Sequence, residues 1–268
     1  MKTWLSRIPY VVLTFYAAVA VIGPLLIDYN PVRTDLGHRL LKPGATAWFG
    51  TDGLGRDVFA QVVYGARTSV LIGVSTVVVS AVVGTSIGTV AGYFRGWLDT
   101  VLSRGIDILL AFPAILLAIV IAGSFQRSVV VVVGALSATA WISFARVTRG
   151  TALSVRERAW VDAARVLGVR RRFILVRHVL PFTAGPVVAL ATLEFALVVL
   201  AEAGLSFLGI GLPNSAVSWG QTIANGKQYL ATAWWISALP GIALSLLIVN
   251  IGILGDQLTA RFGRGQLR

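Results

Sequence analysis

Asp162-Ala163-Ala164-Arg165-Val166-Leu167-Gly168, followed thirteen residues later by Pro181, is an arginine-dense polar island between two long apolar runs. A segment held between such runs meets water, so its surface has to contact something there. Ser154-Val155-Arg156-Glu157, just upstream, fits a capping box in which the serine accepts from the N3 amide and the glutamate reaches back. Gly168 suits the position after a helix, where glycine adopts the left-handed conformation without steric cost. The spacing predicts a helix from Ser154 to Gly168, about three and a half turns at 3.6 residues each. Ala159, Ala163 and Ala164 give it a surface of small side chains that another protein's backbone can approach closely, and Trp160 and Leu167 offer apolar anchors. Beyond it, Arg170-Arg171-Arg172 and Arg177 fall near the membrane, where anionic lipid headgroups can pair with them.

Composition places this island in an integral membrane protein. With 56% hydrophobic and 13% charged residues and a mean hydropathy of +0.82, 268 residues carry too little polar surface to clothe a soluble globule. The formal charge of +12 does not point to nucleic acid, because the arginines sit in short segments flanking apolar runs rather than on a basic face interleaved with aromatics. There is no cysteine, which excludes disulfides, thiolate metal sites and Cys nucleophiles. Six runs reach the length of about 20 residues that a spanning helix needs, near 9–27, 68–93, 101–124, 128–147, 183–207 and 232–255. The first follows Lys2 and Arg7 and passes Ala18-Val19-Ala20, a passable cleavage signal, but its apolar run continues through Ile27, which favours a retained span. With the N-terminus inside, 16 of the 23 Lys and Arg lie on the inner side, among them Lys2, Arg7, Arg95, Arg104, nine arginines from Arg146 to Arg177, and Arg261, Arg264 and Arg268. Seven lie outside: Arg33, Arg39, Lys42, Arg56, Arg67, Arg127 and Lys227. The positive-inside rule then predicts both termini and the arginine island in the cytoplasm.

Asp162-Ala163-Ala164-x-x-x-Gly168 with Leu180-Pro181 resembles the EAA loop of ABC importer permeases, whose short coupling helix docks in a cleft of the cytoplasmic ATPase. Trp48-Phe49-Gly50-Thr51-Asp52-x-Leu54-Gly55-Arg56-Asp57-Val58-Phe59 is similar to the segment preceding the second span in the dipeptide, oligopeptide and nickel group of those permeases. Tyr64-Gly65-Ala66-Arg67, Ala91-Gly92-Tyr93-Phe94, Ala111-Phe112-Pro113, Glu202-Ala203-x-Leu205-Ser206-Phe207-Leu208-Gly209 and Ser218-Trp219-Gly220 follow in the same order. Departures are Asp162 in place of the family's glutamate, His178 in place of an isoleucine, Phe182 in place of an asparagine, and Glu194 where an apolar or small residue is expected.

The resemblance implies an all-α polytopic fold of the type I importer permease, with six transmembrane helices and a cytoplasmic coupling helix. Residues 1–67 would form a first span with an extracytoplasmic segment, and 68–268 a five-helix permease core containing the loop at about 148–182. It assigns ATPase coupling to Glu157, Trp160, Asp162, Ala163, Ala164, Arg165, Leu167 and Gly168. The partners it implies are a second homologous permease, one or two cytoplasmic ABC ATPases, and an extracytoplasmic substrate-binding protein, all at a bacterial plasma (inner) membrane. No Gly-x-x-x-x-Gly-Lys-[Ser/Thr] cradle occurs in the chain, so ATP and Mg are expected on the partner ATPases and no cofactor on this chain. Energy would then arrive through a rigid helix braced between spans, which carries a rigid-body displacement into the membrane. The cargo implied is peptide, with nickel or haem as alternatives within the group.

Two acids lie inside the fifth predicted span. An acid at bilayer depth costs about 2.5 to 3.5 kcal/mol on insertion scales, so Glu194 has to face protein or water. It either lines a translocation path, meeting a peptide amino terminus or a cation, or bonds to a neighbouring helix. Glu202, eight residues on, is rotated by about 80° on the helical wheel and suits a gate or packing role near the outer end. Arg104 and Asp107 have the spacing of an i,i+3 pair. Outside the membrane, Gly50, Gly53 and Gly55 mark tight turns, while Asp52, Arg56, Asp57 and Trp219 are candidates either for local bonding or for docking a delivery protein. The 208–231 loop, with Pro213-Asn214, is a candidate for the outer mouth, and Trp234 and Trp235 for the interfacial aromatic belt. Gly84-x-x-x-Gly88-x-x-x-Gly92 is a small-residue ladder whose partner helix lies in this chain or in a second permease.

Enzyme chemistry finds no support. His38 and His178 fall on opposite sides of the membrane, and His-Glu-x-x-His does not occur. An ion-driven secondary transporter or channel remains as the alternative, although it predicts internal repeats or clustered membrane acids and leaves the arginine island unexplained.

Overall fold

The long apolar runs fold as helices that overshoot the spans read from them. The computed structural model describes residues 8–27, 30, 32–213 and 216–265. Lys2, Arg7, Asn214 and Arg268 of the sequence reading lie outside the described residues. In chain order the helices are α1 (Ile8–Leu26), α2 (Val58–Phe94), α3 (Trp97–Leu110), α4 (Ala114–Ser124), α5 (Val129–Arg156), α6 (Ala159–Val166), α7 (Arg171–Ile174), α8 (Leu180–Phe207), α9 (Trp219–Gly226) and α10 (Trp235–Gly265). Five stretches are long and apolar enough to cross a membrane, and α3 with α4 makes a sixth only as a pair bent by 85°. The single straight third span expected at 101–124 is therefore a broken one. Pro113 accounts for it: proline offers no N–H to the helical ladder and drives Phe112, before it, away from helical geometry.

α2 is 37 residues long because Asp57 caps it well before the apolar run begins, its carboxylate accepting from the Phe59 and Ala60 amides at 2.7 and 3.2 Å. α8 continues α7 through one π-helical turn, Leu175–Val179, closed by the Leu180 amide on the Leu175 carbonyl. Pro181 explains that wide turn, since it lacks the N–H that an unbroken α-helix would pair with Arg177.

The glycine ladder of α2 packs against α5 of the same chain. A Cβ on Gly84, Gly88 or Gly92 would sit 2.3, 2.2 and 2.5 Å from the carbonyl oxygens of Trp141, Ala145 and Arg149, each one turn after the last. The two backbones thus meet directly over two turns, and only glycine permits it. Beside this seam, Ile72, Val77, Val132, Leu136, Phe144, Val198 and Leu205 form one core from α2, α5 and α8. A second core joins α1, α8, α9 and α10 around Trp219, whose ring lies 5.9 Å from Tyr16 in an edge contact.

At the end of the bundle where α2 begins, residues 32–57 form an ordered cap. Gly55, at φ +75°, lies so close to the Asp35 carbonyl that a Cβ would overlap it at 1.6 Å. Here the Asp35 amide donates to the Leu54 carbonyl at 3.0 Å and the Arg39 guanidinium to the Gly53 carbonyl at 2.8 Å. The cap is fastened to α10 by the Trp235 indole, which donates to the Thr51 carbonyl at 3.2 Å.

Candidate functional site

The polar island folds as α6, at the opposite end of the bundle from the 32–57 cap. Its start corrects the capping-box expectation. Ser154 lies in the last turn of α5, which runs to Arg156, and Glu157 caps α5 at its C-terminus and pairs with Arg95 at 3.1 Å. Ala152 and Val155 are buried against Tyr93, so continuing the buried face of α5 outweighs a local cap worth about 1 kcal/mol. α6 therefore has eight residues, and Glu157 is not on it. Its end follows the sequence: Gly168 has φ +75°, with the Gly168 amide on the Arg165 carbonyl and the Val169 amide on the Ala164 carbonyl, both at 3.0 Å, the two bonds of a Schellman motif.

α6 has an inner and an outer face. Val161 is fully buried among Tyr93, Ala152, Val155, Ile174 and Val179. Trp160, expected as an anchor for a partner, turns inward instead: its ring lies 5.6 Å from His178 and stacks on Phe182 at 6.0 Å and 22°. Phe182 in turn carries the Arg158 guanidinium 5.0 Å from its centroid. The two family departures at 178 and 182 thus form the seat of Trp160. Asp162 and Ala163 are exposed, Ala164 is half-buried, and Arg165 pairs with Asp162 at 2.9 Å. Val166 and Leu167 are 88% and 82% exposed, an apolar tip standing in water. Val166 was not singled out from the sequence, where it looks like any core valine.

The acids of α8 lie in different surroundings. Glu202 is fully buried and accepts from Ser206 at 2.7 Å and Ser69 at 3.2 Å, with Ser218 a further 3.4 Å from Ser206. It joins α8 to α2 and to the start of α9. Glu194 lies beside Ser143 of α5 on the wall of a cavity of about 450 Å³ that opens at the α3–α4 break, bordered by Phe112, Pro113, Leu197 and Arg146. No ion pair joins Glu194 to Arg146 among the described residues.

The contacts of the cap residues agree with local bonding, the first of the two readings open for them. Asp52 accepts from the Leu54 and Arg56 amides at 2.9 Å, from the Arg56 guanidinium at 2.6 Å and from Gln61 at 3.0 Å, with Gln61 in turn held by Thr222 at 3.2 Å. Trp219 is 1% exposed and donates to the Val62 carbonyl at 2.9 Å. Asp57 caps α2. These side chains hold the cap together rather than present a surface; what they do border is a depression of about 620 Å³ between residues 52–56 and 224–229, lined by Asn225, Lys227 and Gln228.

One contact had no signal in the sequence, and one with a signal is absent among the described residues. Asp99 binds the Arg149 guanidinium through both oxygens, the second at 3.0 Å, and pins the start of α3 to α5 across 50 residues of chain. The Arg104–Asp107 pair permitted by spacing is not formed among the described residues.

Known proteins resemble this chain in fold and in sequence. A chain from a crystal structure of the MetNI methionine ABC transporter in inward-facing conformations superposes with a TM-score of 0.63 at 18% identity, over 76% of this chain and 97% of that one. The dipeptide transport system permease protein DppC of Alkalihalophilus pseudofirmus is 35% identical over 257 residues, covering 96% of this chain and 84% of its own. The oligopeptide transport system permease protein OppC of Mycobacterium bovis is 36% identical over 248 residues, 92% of this chain and 84% of that protein. A Brucella suis protein, provisionally named a peptide transport system permease, reaches 42% over 252 residues, 94% of this chain and 85% of its own. These matches leave the ion-driven alternative without support. Residues 84–266, spanning the glycine ladder, the broken span, α6 and both buried acids, match one family model, and the chain belongs to the binding-protein-dependent transport system inner membrane components.

Proposed function

We infer that this chain is one of two permease subunits of an ATP-driven importer for short peptides, with α6 as the helix that receives the motion of a cytoplasmic ATPase. The observation that carries this reading is the build of α6. Its tip offers Val166 and Leu167 to a partner, while Val161 and Trp160 lock its inner face to the ends of α2, α5 and α8. A load on the tip therefore reaches three spans without first being absorbed by a loose hinge. ATP and Mg belong to the partner subunits in this reading. The arginine-rich α6 end faces the cytoplasm by the positive-inside rule, and the 32–57 cap with its depression faces the binding protein. The peptide cargo rests on the relatives named for dipeptides and oligopeptides, and Glu194, on the wall of the cavity at the broken span, lies along the path.

The test is reconstitution in proteoliposomes of this chain with a candidate second permease, ATPases and receptor. Dipeptide-loaded receptor should stimulate ATP hydrolysis. Replacing Val166 and Leu167 together by Asp should abolish that stimulation and peptide uptake while the spans still fold. Full stimulation by the doubly substituted complex would end the coupling assignment.

A further inference from the structure

Four elements converge beside α6 on a small pocket of about 90 Å³, lined by Tyr93 and Phe94 at the end of α2, Arg156 at the end of α5, Arg165 of α6 and Arg171 of α7. Three guanidinium groups therefore share one recess. Arg165 is met by Asp162 at 2.9 Å, but neither Arg156 nor Arg171 has a carboxylate partner among the described residues. Two of the three are held in place: Arg156 donates to the Tyr93 carbonyl at 2.6 Å, and Arg165 lies 5.9 Å from the centroid of the Tyr93 ring. Tyr93 supplies an independent sign of a missing ligand. It is 3% exposed, and its phenol oxygen has no hydrogen-bond partner. Six Ser and Thr hydroxyls along the spans are also unpaired, but only Tyr93 among these residues lines the arginine recess.

We propose that this pocket binds a phosphate oxyanion, above all that of an anionic lipid headgroup. Fixed guanidinium forks match phosphate geometry, and a phenol O–H adds a further donor. The height is right: α2 and α5 both cross the membrane and end here, and the neighbouring Trp97 is 73% exposed, as an interfacial aromatic would be. A bound phosphate would tie the ends of two spans to α6 and α7. The inference does not depend on the cargo or on which compartment the α6 end faces.

The experiment is native mass spectrometry of the full chain, purified with its partner subunits, in detergent supplemented with phosphatidylglycerol or phosphatidylcholine. One phosphatidylglycerol should be retained per chain. Its retention should fall about tenfold in Arg156→Gln, Arg171→Gln and Tyr93→Phe, since each removes a bond to a charged group. Arg172→Gln makes the same charge change one residue away and does not line the pocket, so it should retain the lipid. Unchanged melting temperatures show that the variants are folded. If millimolar inorganic phosphate displaces the lipid, the oxyanion alone is recognised; if it does not, the acyl chains contribute, and both results support the site. Equal losses in Arg171→Gln and Arg172→Gln would reduce the effect to general surface charge and overturn the proposal, as would no binding of either lipid or phosphate.

Discussion

Gly168 has open space around the position of a Cβ, so substitutions there test backbone conformation alone. Gly168→Ala should cost about 1 kcal/mol through its φ of +75°. Gly168→Pro should do far more, because it also removes the amide bonded to Arg165, and uptake should fall with it although the complex still assembles. Both effects are read by substrate-stimulated ATP hydrolysis in proteoliposomes. Glu202→Ala should destabilise the chain by about 3 kcal/mol, from lost packing and two unmet serine hydroxyls, whereas Glu202→Gln should cost under about 1 kcal/mol. Thermal unfolding in detergent separates the two. Glu194→Gln leaves the fold nearly untouched and should slow uptake of free-amine dipeptides more than of N-acetylated ones. Residue type was enough to flag both acids, since charge inside an apolar run is costly wherever it is placed. Their partners were not legible: Ser69 lies 133 residues from Glu202, and nothing in local spacing connects them.

Among the elements, the glycine ladder shows what period alone conveys. Small residues every four positions announce a close helix crossing, and the partner α5 emerges only from the fold. Gly88→Leu has no room to adjust, with a carbonyl 2.2 Å from the new Cβ, and should cost at least about 3 kcal/mol, seen as lost expression or a lowered melting temperature. The capping box at Ser154 failed for the opposite reason. Its local geometry was sound, but the buried face of α5 kept the helix going two residues further, to Arg156. Trp160→Ala should loosen α6 from α8 by emptying the stack on His178 and Phe182, so that peptide uptake drops several-fold while basal ATP hydrolysis persists. The 85° bend at Pro113 was within reach of the sequence, since a proline inside an apolar run breaks the ladder; its direction, which opens the cavity beside Glu194, was not.

For the molecule as a whole, hydropathy marked the five long helices and the bent pair, and charge bias predicts their direction, because both are set by the solvent rather than by particular contacts. The direction has a direct check. The chain contains no cysteine, so Val166→Cys and Gln228→Cys each introduce a unique thiol. A membrane-impermeant maleimide added to intact cells should label Gln228→Cys and leave Val166→Cys untouched until the membrane is broken.

At 37 residues and about 1.5 Å of rise per residue, α2 is roughly 55 Å long, well beyond a hydrocarbon layer of about 30 Å. One end is seated in the cap by Asp57 and the other carries Tyr93 into the arginine pocket. A single unbroken pushrod thus joins the two wetted faces of the protein, and whatever settles on one of them is mechanically in touch with whatever grips the other.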